Sequence, residues 1–158
     1  MSFYGRKAAV WLATGGGLGY SPVASGTAGT LPGVLIVAAI WPLGLTAQIV
    51  SAIILAVLAV PLCDIAEAHF RTKDDGRIVA DEFMTFPICM IGLPLTPWVL
   101  VMAFVSNRVF DILKPPPARG LQALPGGFGI VIDDVFATLY SLAANHLAYW
   151  FIGRYLLS

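Results

Sequence analysis

From Ala8 to Cys63 the chain carries no Asp, Glu, Lys or Arg, and the same is true from Phe83 to Asn107 and from Val135 to Gly153. Uncharged apolar runs reaching about 18 residues are long enough to cross a bilayer as helices. The composition agrees: 58% of residues are apolar, 11% are charged and mean hydropathy is +0.84. Soluble domains carry roughly 25% charged residues. The 158 residues are therefore expected to form a single all-α, membrane-embedded domain over positions 1–158. A formal net charge of zero gives no basic field, so nucleic acid is excluded as a partner.

The opening stretch, "MSFYGRKAAVWLATGGGLGY", has two basic residues, but its apolar part is short and runs into glycines, unlike a cleaved signal peptide. Cys63 and Cys89 lie in apolar surroundings, form no C-x-x-C pair and read as small buried hydrophobes. A cysteine phosphatase loop needs Arg six residues after the Cys, where this chain has His69 and Leu95.

About five to six helices are expected, joined as hairpins. Gly15 to Gly33, rich in Gly, Ser, Thr and Pro, reads as a loop. A short helix follows to Trp41, with Thr30 as N-cap and Pro32 near its first turn. The second helix runs from Thr46 to Phe70, with Pro61 as a point of kinking. The third starts near Asp81 and reaches Gly92. The fourth runs from Trp98 to Leu113, with Thr96 and Pro97 as cap and first turn. The Pro-rich stretch "KPPPARGLQALPGG" reads as non-helical. A fifth helix starts near Gly129 and carries the C-terminal apolar run.

The hairpin tips, Pro42–Leu45 and Leu93–Pro97, carry no charge, while every acidic residue and every basic residue but Arg154 falls toward the open ends. The positive-inside rule then places the charged end in the cytoplasm. Residues Leu31–Trp41 would span only about 17 Å as a helix, short of a hydrocarbon core of roughly 30 Å. Half-depth or re-entrant elements, buried against their neighbours, are therefore expected.

The charged end gathers Asp74, Asp81 and Glu82 around the start of the third helix. Arg108, Asp111 and Lys114 follow at i, i+3, i+6 on one face of the fourth, and Asp133 and Asp134 lie in the first turns of the fifth. Carboxylates in an apolar setting are costly unless paired or metal-bound. Adjacent helical residues point about 100° apart, so Asp133 and Asp134 need not share one task. Carboxylates with few His and no reactive Cys suit a hard cation such as Mg²⁺ rather than zinc. Gly26, Thr27, Gly29 and Thr30 offer backbone N–H groups and hydroxyls at a helix start, an arrangement suited to phosphate, although no Lys follows as in a Walker A loop. Ion pairs such as Arg108 with Asp111 and Arg77 with Asp81, serving only to orient helices, account for the same residues.

Four ordered motifs narrow the choice. "GLGYSPVASGTAGTLPG" is similar to G-S-G-x-S-P-x-A-P-G-T-x-G-S-L. "DDGRIVADEF" is similar to D-x-G-x-I-V-x-D-E, "NRVFDILKPPP" to F-R-x-x-D-x-x-K-P-x-P, and "PGGFGIVIDDVFA" to G-G-x-G-I-M-x-D-D-x-x-A-G. The chain thus resembles the phosphatidylglycerophosphatase A family of bacterial inner-membrane enzymes over nearly its whole length. Departures are Ser25 for Pro, Thr30 for Ser, and Thr85 and Thr138 for Gly. The last two bear on local packing more than on chemistry.

The resemblance implies Mg²⁺-dependent hydrolysis of phosphatidylglycerophosphate, a phospholipid substrate, to phosphatidylglycerol and phosphate. The matching site positions are Gly26, Thr27, Gly29, Asp74, Asp81, Glu82, Arg108, Asp111, Lys114, Gly127, Gly129, Asp133 and Asp134. In the mechanism expected, Asp81, Glu82 and one or both of Asp133 and Asp134 hold the metal, and Arg108 and Lys114 offset phosphoryl charge. The loop around Thr27, with Gly26, Gly29 and Thr30, cradles the phosphate. Asp111 or Asp134 acts as base, water or a carboxylate attacks, and the lipid arrives laterally between apolar helices. A CDP-alcohol phosphotransferase would need D-G-x-x-A-R, which "DDGRIVADE" lacks. Lipid phosphatases with a catalytic His pair need motifs that His69 and His146 do not supply. The non-catalytic rival is a membrane scaffold that binds anionic lipid.

Overall fold

The computed structural model describes residues 3–155, so both ends of the expected 1–158 domain lie outside the described residues. The order is α1 (Phe3–Ala13), α2 (Ser25–Ile40), α3 (Leu45–Phe70), α4 (Ala80–Thr85), α5 (Pro97–Leu113), α6 (Ala118–Leu121) and α7 (Gly126–Tyr155). Tighter 3₁₀ turns occupy Gly15–Tyr20, Trp41–Leu43 and Phe86–Met90. No strand occurs among the described residues. The stretches Ser25–Leu43, Leu45–Phe70 and Gly126–Arg154 are long and apolar enough to cross a membrane.

The helices are assembled inside out relative to a soluble bundle. The buried positions of α3 are Gln48, Ala52, Ala59, Cys63 and Ala66, all but one of them small, while Ile53, Val57 and Leu58 are exposed. In lipid, large apolar side chains lose little by facing outward, whereas small ones let helices approach closely. Helix α7 packs against α3 on one side and α5 on the other. Gly127 permits this: a Cβ there would collide with the Val60 carbonyl of α3. Helix α3 runs unbroken through Pro61.

Three expectations are corrected. Helix α2 begins at Ser25, not near Leu31, and Ala24 in the left-handed region (φ 48) occupies the N-cap position assigned to Thr30. Thr30 and Pro32 therefore lie inside the helix. The glycines that read as loop are its packing face. A Cβ at Gly29 would strike Val79, and one at Gly33 would strike Phe83 and Phe86, so tertiary contact overrides weak helix propensity. The Pro-rich stretch does contain a helix, the short α6, entered from Pro117. Proline is tolerated at a helix start, where N–H groups have no intrahelical partner anyway. Thr96 holds the extended N-cap backbone of α5, but its buried hydroxyl makes no cap hydrogen bond.

The short helix expected at Leu31–Trp41 is instead the second half of the longer α2, and the short element buried against its neighbours is α4 with the turn after it. Residues Ile78–Ala80 and Met84–Met90 are all buried, yet six α-helical residues and five 3₁₀ residues extend only about 19 Å. Non-helical backbone at such depth needs protein partners. Trp41 Nε1 donates to the Leu93 carbonyl (2.8 Å), and the Gly92 N–H donates to Gln48 Oε1 (3.1 Å). Asn145 Nδ2 donates to the Cys89 carbonyl (3.0 Å), and His146 Nε2 lies 2.8 Å from the Ile91 carbonyl. The end of this half-helix is thereby tied to the turn after α2, to α3 and to α7, and its start carries Asp81 and Glu82.

Candidate active site

The Val79 N–H donates to the Ala13 carbonyl (2.9 Å), which anchors the entrance of α4. Its first turn presents Asp81 and Glu82, where the positive end of the helix dipole favours carboxylates. Glu82 Oε2 accepts from Arg108 Nη1, and Arg108 Nη2 donates to Asp111 Oδ2 at 2.6 Å. Arg108 Nη1 also donates to Thr30 Oγ1 (3.1 Å), whose single hydrogen reaches either Glu82 Oε2 (3.0 Å) or the Gly26 carbonyl (2.8 Å). One guanidinium thus joins α2, α4 and α5. Gly26 is small by necessity, because a Cβ there would overlap Glu82 Oε1 and crowd Arg108.

On the other flank Lys114 Nζ donates to Asp133 Oδ2 at 2.5 Å. Lys114 caps α5 with φ 43. The loop beyond it is held by Tyr140 of α7, whose hydroxyl donates to the Pro116 carbonyl (2.6 Å) and whose ring stacks on Phe110. Asp134 is buried and lies in the field of the Asp111, Asp81 and Glu82 charges. Asp74 accepts from Gln122 Nε2 (2.5 Å), and its charge is felt by Asp81 and Asp133. Asp81 Oδ1 and Asp133 Oδ1 are buried without a hydrogen-bond partner.

Six carboxylates, Asp74, Asp81, Glu82, Asp111, Asp133 and Asp134, therefore meet two cations, Arg108 and Lys114. Burial pushes the Asp81 carboxyl well above its usual range, and the charges of Glu82, Asp74, Asp133 and Asp111 push it further. Burial raises Glu82 to about 7, against the opposing pull of Arg108. Burial pulls the Lys114 ammonium down, but the hydrogen bond to Asp133 together with the charges of Asp133, Asp111 and Asp134 leaves it raised.

The chain matches the phosphatidylglycerophosphatase A family over residues 11–149. It is 36% identical over 145 residues to a phosphatidylglycerophosphatase A of Haemophilus influenzae, covering 89% of each chain. It is 35% identical over 150 residues to the Escherichia coli phosphatidylglycerophosphatase A, covering 91% of this chain and 83% of that one. The chain belongs to the phosphatidylglycerophosphatase A family. A Bacteroides thetaiotaomicron relative, whose name gives phosphatidylinositol-3-phosphatase as a provisional activity, is 34% identical over 151 residues, covering 91% of this chain and 95% of that one. No solved structure matches.

Membership in the phosphatidylglycerophosphatase A family makes the chain a phosphoric monoester hydrolase. Where this chain has threonine in place of the family's usual glycine, the packing absorbs it. Thr85 Oγ1 donates to the Asp81 carbonyl (2.7 Å) and Thr138 Oγ1 to the Asp134 carbonyl (2.9 Å), both buried. Arg77 pairs with Asp75, at 2.7 Å, and not with Asp81. Thr27 lies exposed in the first turn of α2, where its N–H and that of Gly26 precede the first intrahelical bond, Ala28 N–H to Ala24 O. Three participants were not anticipated. Asn107 is buried one turn before Asp111 with Oδ1 unpartnered, and Gln122 and Tyr140 brace Asp74 and the Lys114 loop.

Among the described residues no three His, Cys, Asp or Glu side chains already surround one point. Mg²⁺, however, typically takes only one or two carboxylates and fills its octahedron with water and substrate phosphate. Asp81 and Asp133 each offer a buried, unpartnered oxygen, and the surrounding acids exceed the cations, so the site fits such an ion. Glu82 is already engaged by Arg108 and Thr30.

Proposed function

We propose that this chain hydrolyses the terminal phosphomonoester of phosphatidylglycerophosphate, yielding phosphatidylglycerol and inorganic phosphate, as a step of phospholipid biosynthesis. The observation that carries this reading is the junction of Arg108 with Glu82, Asp111 and Thr30 beside the free N–H groups of α2, in a bundle end that also holds two buried, unpartnered carboxylate oxygens. The site lies at the charged end of a membrane-embedded bundle, which supports a bacterial inner-membrane enzyme working at the cytoplasmic face.

Asp81 and Asp133 would hold Mg²⁺, with Glu82 and Asp134 beside them. An ion held there would supply positive charge at the phosphoryl group and Lewis acidity toward a water. The N–H groups of Gly26 and Thr27 and the Arg108 guanidinium bind the phosphoryl oxygens, and Lys114 adds positive charge where negative charge develops. The Asp111–Asp134 pair accepts the proton of the attacking water. The bond between phosphorus and the glycerol oxygen breaks, and that oxygen leaves with a proton from the same carboxyl pair.

Phosphate release from phosphatidylglycerophosphate in detergent micelles, with Mg²⁺ and then with excess EDTA, tests the reading. Release that needs Mg²⁺ and fails in Asp133→Asn supports it. Release indifferent to both, or none from folded protein, favours the anionic-lipid scaffold. Phosphatidylinositol 3-phosphate, assayed in parallel, resolves whether the headgroup is that suggested by the Bacteroides relative.

A further inference from the structure

A lipid substrate must reach the carboxylate cluster without leaving the membrane, and one side of the bundle carries a succession of adjacent openings. Between α3 and α7 lies an almost wholly apolar groove of about 180 Å³, lined by Val57, Val60, Phe128, Val131, Ile132 and Val135. One turn further along α3, and two residues back along α7, a cleft of about 470 Å³ opens, bounded by Asp64, Glu67, Arg71, Lys73 and Gly126. A second cleft shares Lys73 and Ala123 with the first and reaches Asp74, Arg119 and Gln122. Asp74 is the carboxylate whose charge is felt by Asp81 and Asp133.

The polarity along this route matches a phosphodiester. Of the acids in the cleft, Glu67 Oε1 accepts the Asp74 N–H (3.2 Å) and Asp64 Oδ1 accepts the Gly127 N–H (3.3 Å). Arg71, Lys73 and Arg119 are exposed around the openings. Arg71 caps α3 in the left-handed region (φ 58), and this reversal brings Lys73 across to the Ala123 carbonyl (3.0 Å). A lipid lying with one acyl chain in the groove would place its phosphodiester at these cations and its terminal phosphate toward Asp74 and the site beyond.

Resting on the phosphatase reading above, we infer that the α3–α7 groove and the cleft over it form the lateral access path for the substrate. Arg71 and Lys73 hold the phosphodiester that is not cleaved, and the groove holds an acyl chain.

Two measurements test this. The first is steady-state kinetics on phosphatidylglycerophosphate in mixed micelles with Arg71→Gln and Lys73→Gln. Each is expected to raise KM about tenfold, the value of one charge-assisted contact, without a matching fall in kcat. A fall in kcat at unchanged KM, or no change, overturns the assignment of these cations. The second does not depend on turnover. Phosphatidylglycerol bearing a photoactivatable acyl chain is cross-linked to the protein in nanodiscs, and the adducts are mapped. Adducts concentrated on Val57, Val60 and Phe128, and lost in the groove-filling Ala56→Trp, are expected. Adducts spread evenly over the outer faces of α3, α5 and α7 would mean annular lipid only and overturn the groove, even in a protein whose phosphatase activity fails.

Discussion

Lys114 Nζ lies 2.5 Å from Asp133 Oδ2, while Oδ1 of the same carboxylate is buried with no partner. The lysine thus holds one oxygen in place and leaves the other buried and unengaged. Lys114→Met removes this restraint and strands a buried charge. Its kcat/KM is expected to fall by about 10² or more, the scale of losing one preorganised charge contact. Lys114→Arg should recover only part of this, because a planar fork does not replace a point charge. Steady-state phosphate release checks both.

Metal binding should appear as stability. At a Mg²⁺ concentration about 100 times its Kd, a ligand bound only by the folded state adds about 2.7 kcal/mol. Thermal unfolding in detergent should therefore move to higher temperature with Mg²⁺ in the wild type. The shift should disappear in Asp81→Asn and in Asp133→Asn, each of which loses an unpartnered oxygen.

Two glycines on one face of α2 should fail differently. Gly26→Ala pushes a methyl group into Glu82 and Arg108, so it should lower kcat at least tenfold while the protein still folds. Gly29→Ala meets Val79 and not the site. It should cost about 1–3 kcal/mol of stability through overpacking. Thermal unfolding and phosphate release measured on both variants separate the two outcomes.

The Asp75–Arg77 pair predicts a pH dependence outside the membrane. The Arg77 hydrogen bond holds the Asp75 carboxyl below its usual value. A carboxyl lowered in the folded state adds stability above its unfolded pKa of about 3.9, and that stability is lost as pH falls through the lowered folded value. Asp75→Asn should therefore unfold at a lower temperature than the wild type near pH 7, with the gap closing below about pH 4.

The polar end of this molecule was legible because charge is so sparse. When only three short regions of an apolar chain carry acids, those regions must meet, and Asp81, Glu82, Arg108, Asp111, Lys114, Asp133 and Asp134 do. The helix boundaries at Trp98–Leu113 and Thr46–Phe70 followed from Pro, Gly and charge at their ends. The start of α2 did not, because Ser25–Gly33 is poor in helix formers and becomes helical only through contact with Val79, Phe83 and Phe86. Sequence spacing likewise placed Lys114 with Arg108 on one face. The left-handed turn at Lys114 instead sends it to Asp133, a pairing between residues on different helices that no local pattern encodes.

The buried half-helix has a consequence for how the site tolerates change. Its inner end is moored by Trp41, Gln48, Asn145 and His146, so the segment between the mooring and Asp81 acts as a fixed-length strut. Inserting a single residue within Phe86–Met90 would leave the mooring intact but lift and turn the carboxylates by about 1.5–2 Å and 100–120°. Glu82 would then miss Arg108 and Asp81 would leave its place in the cluster. The chemistry at one end of the bundle is in that sense set by a length counted deep inside it.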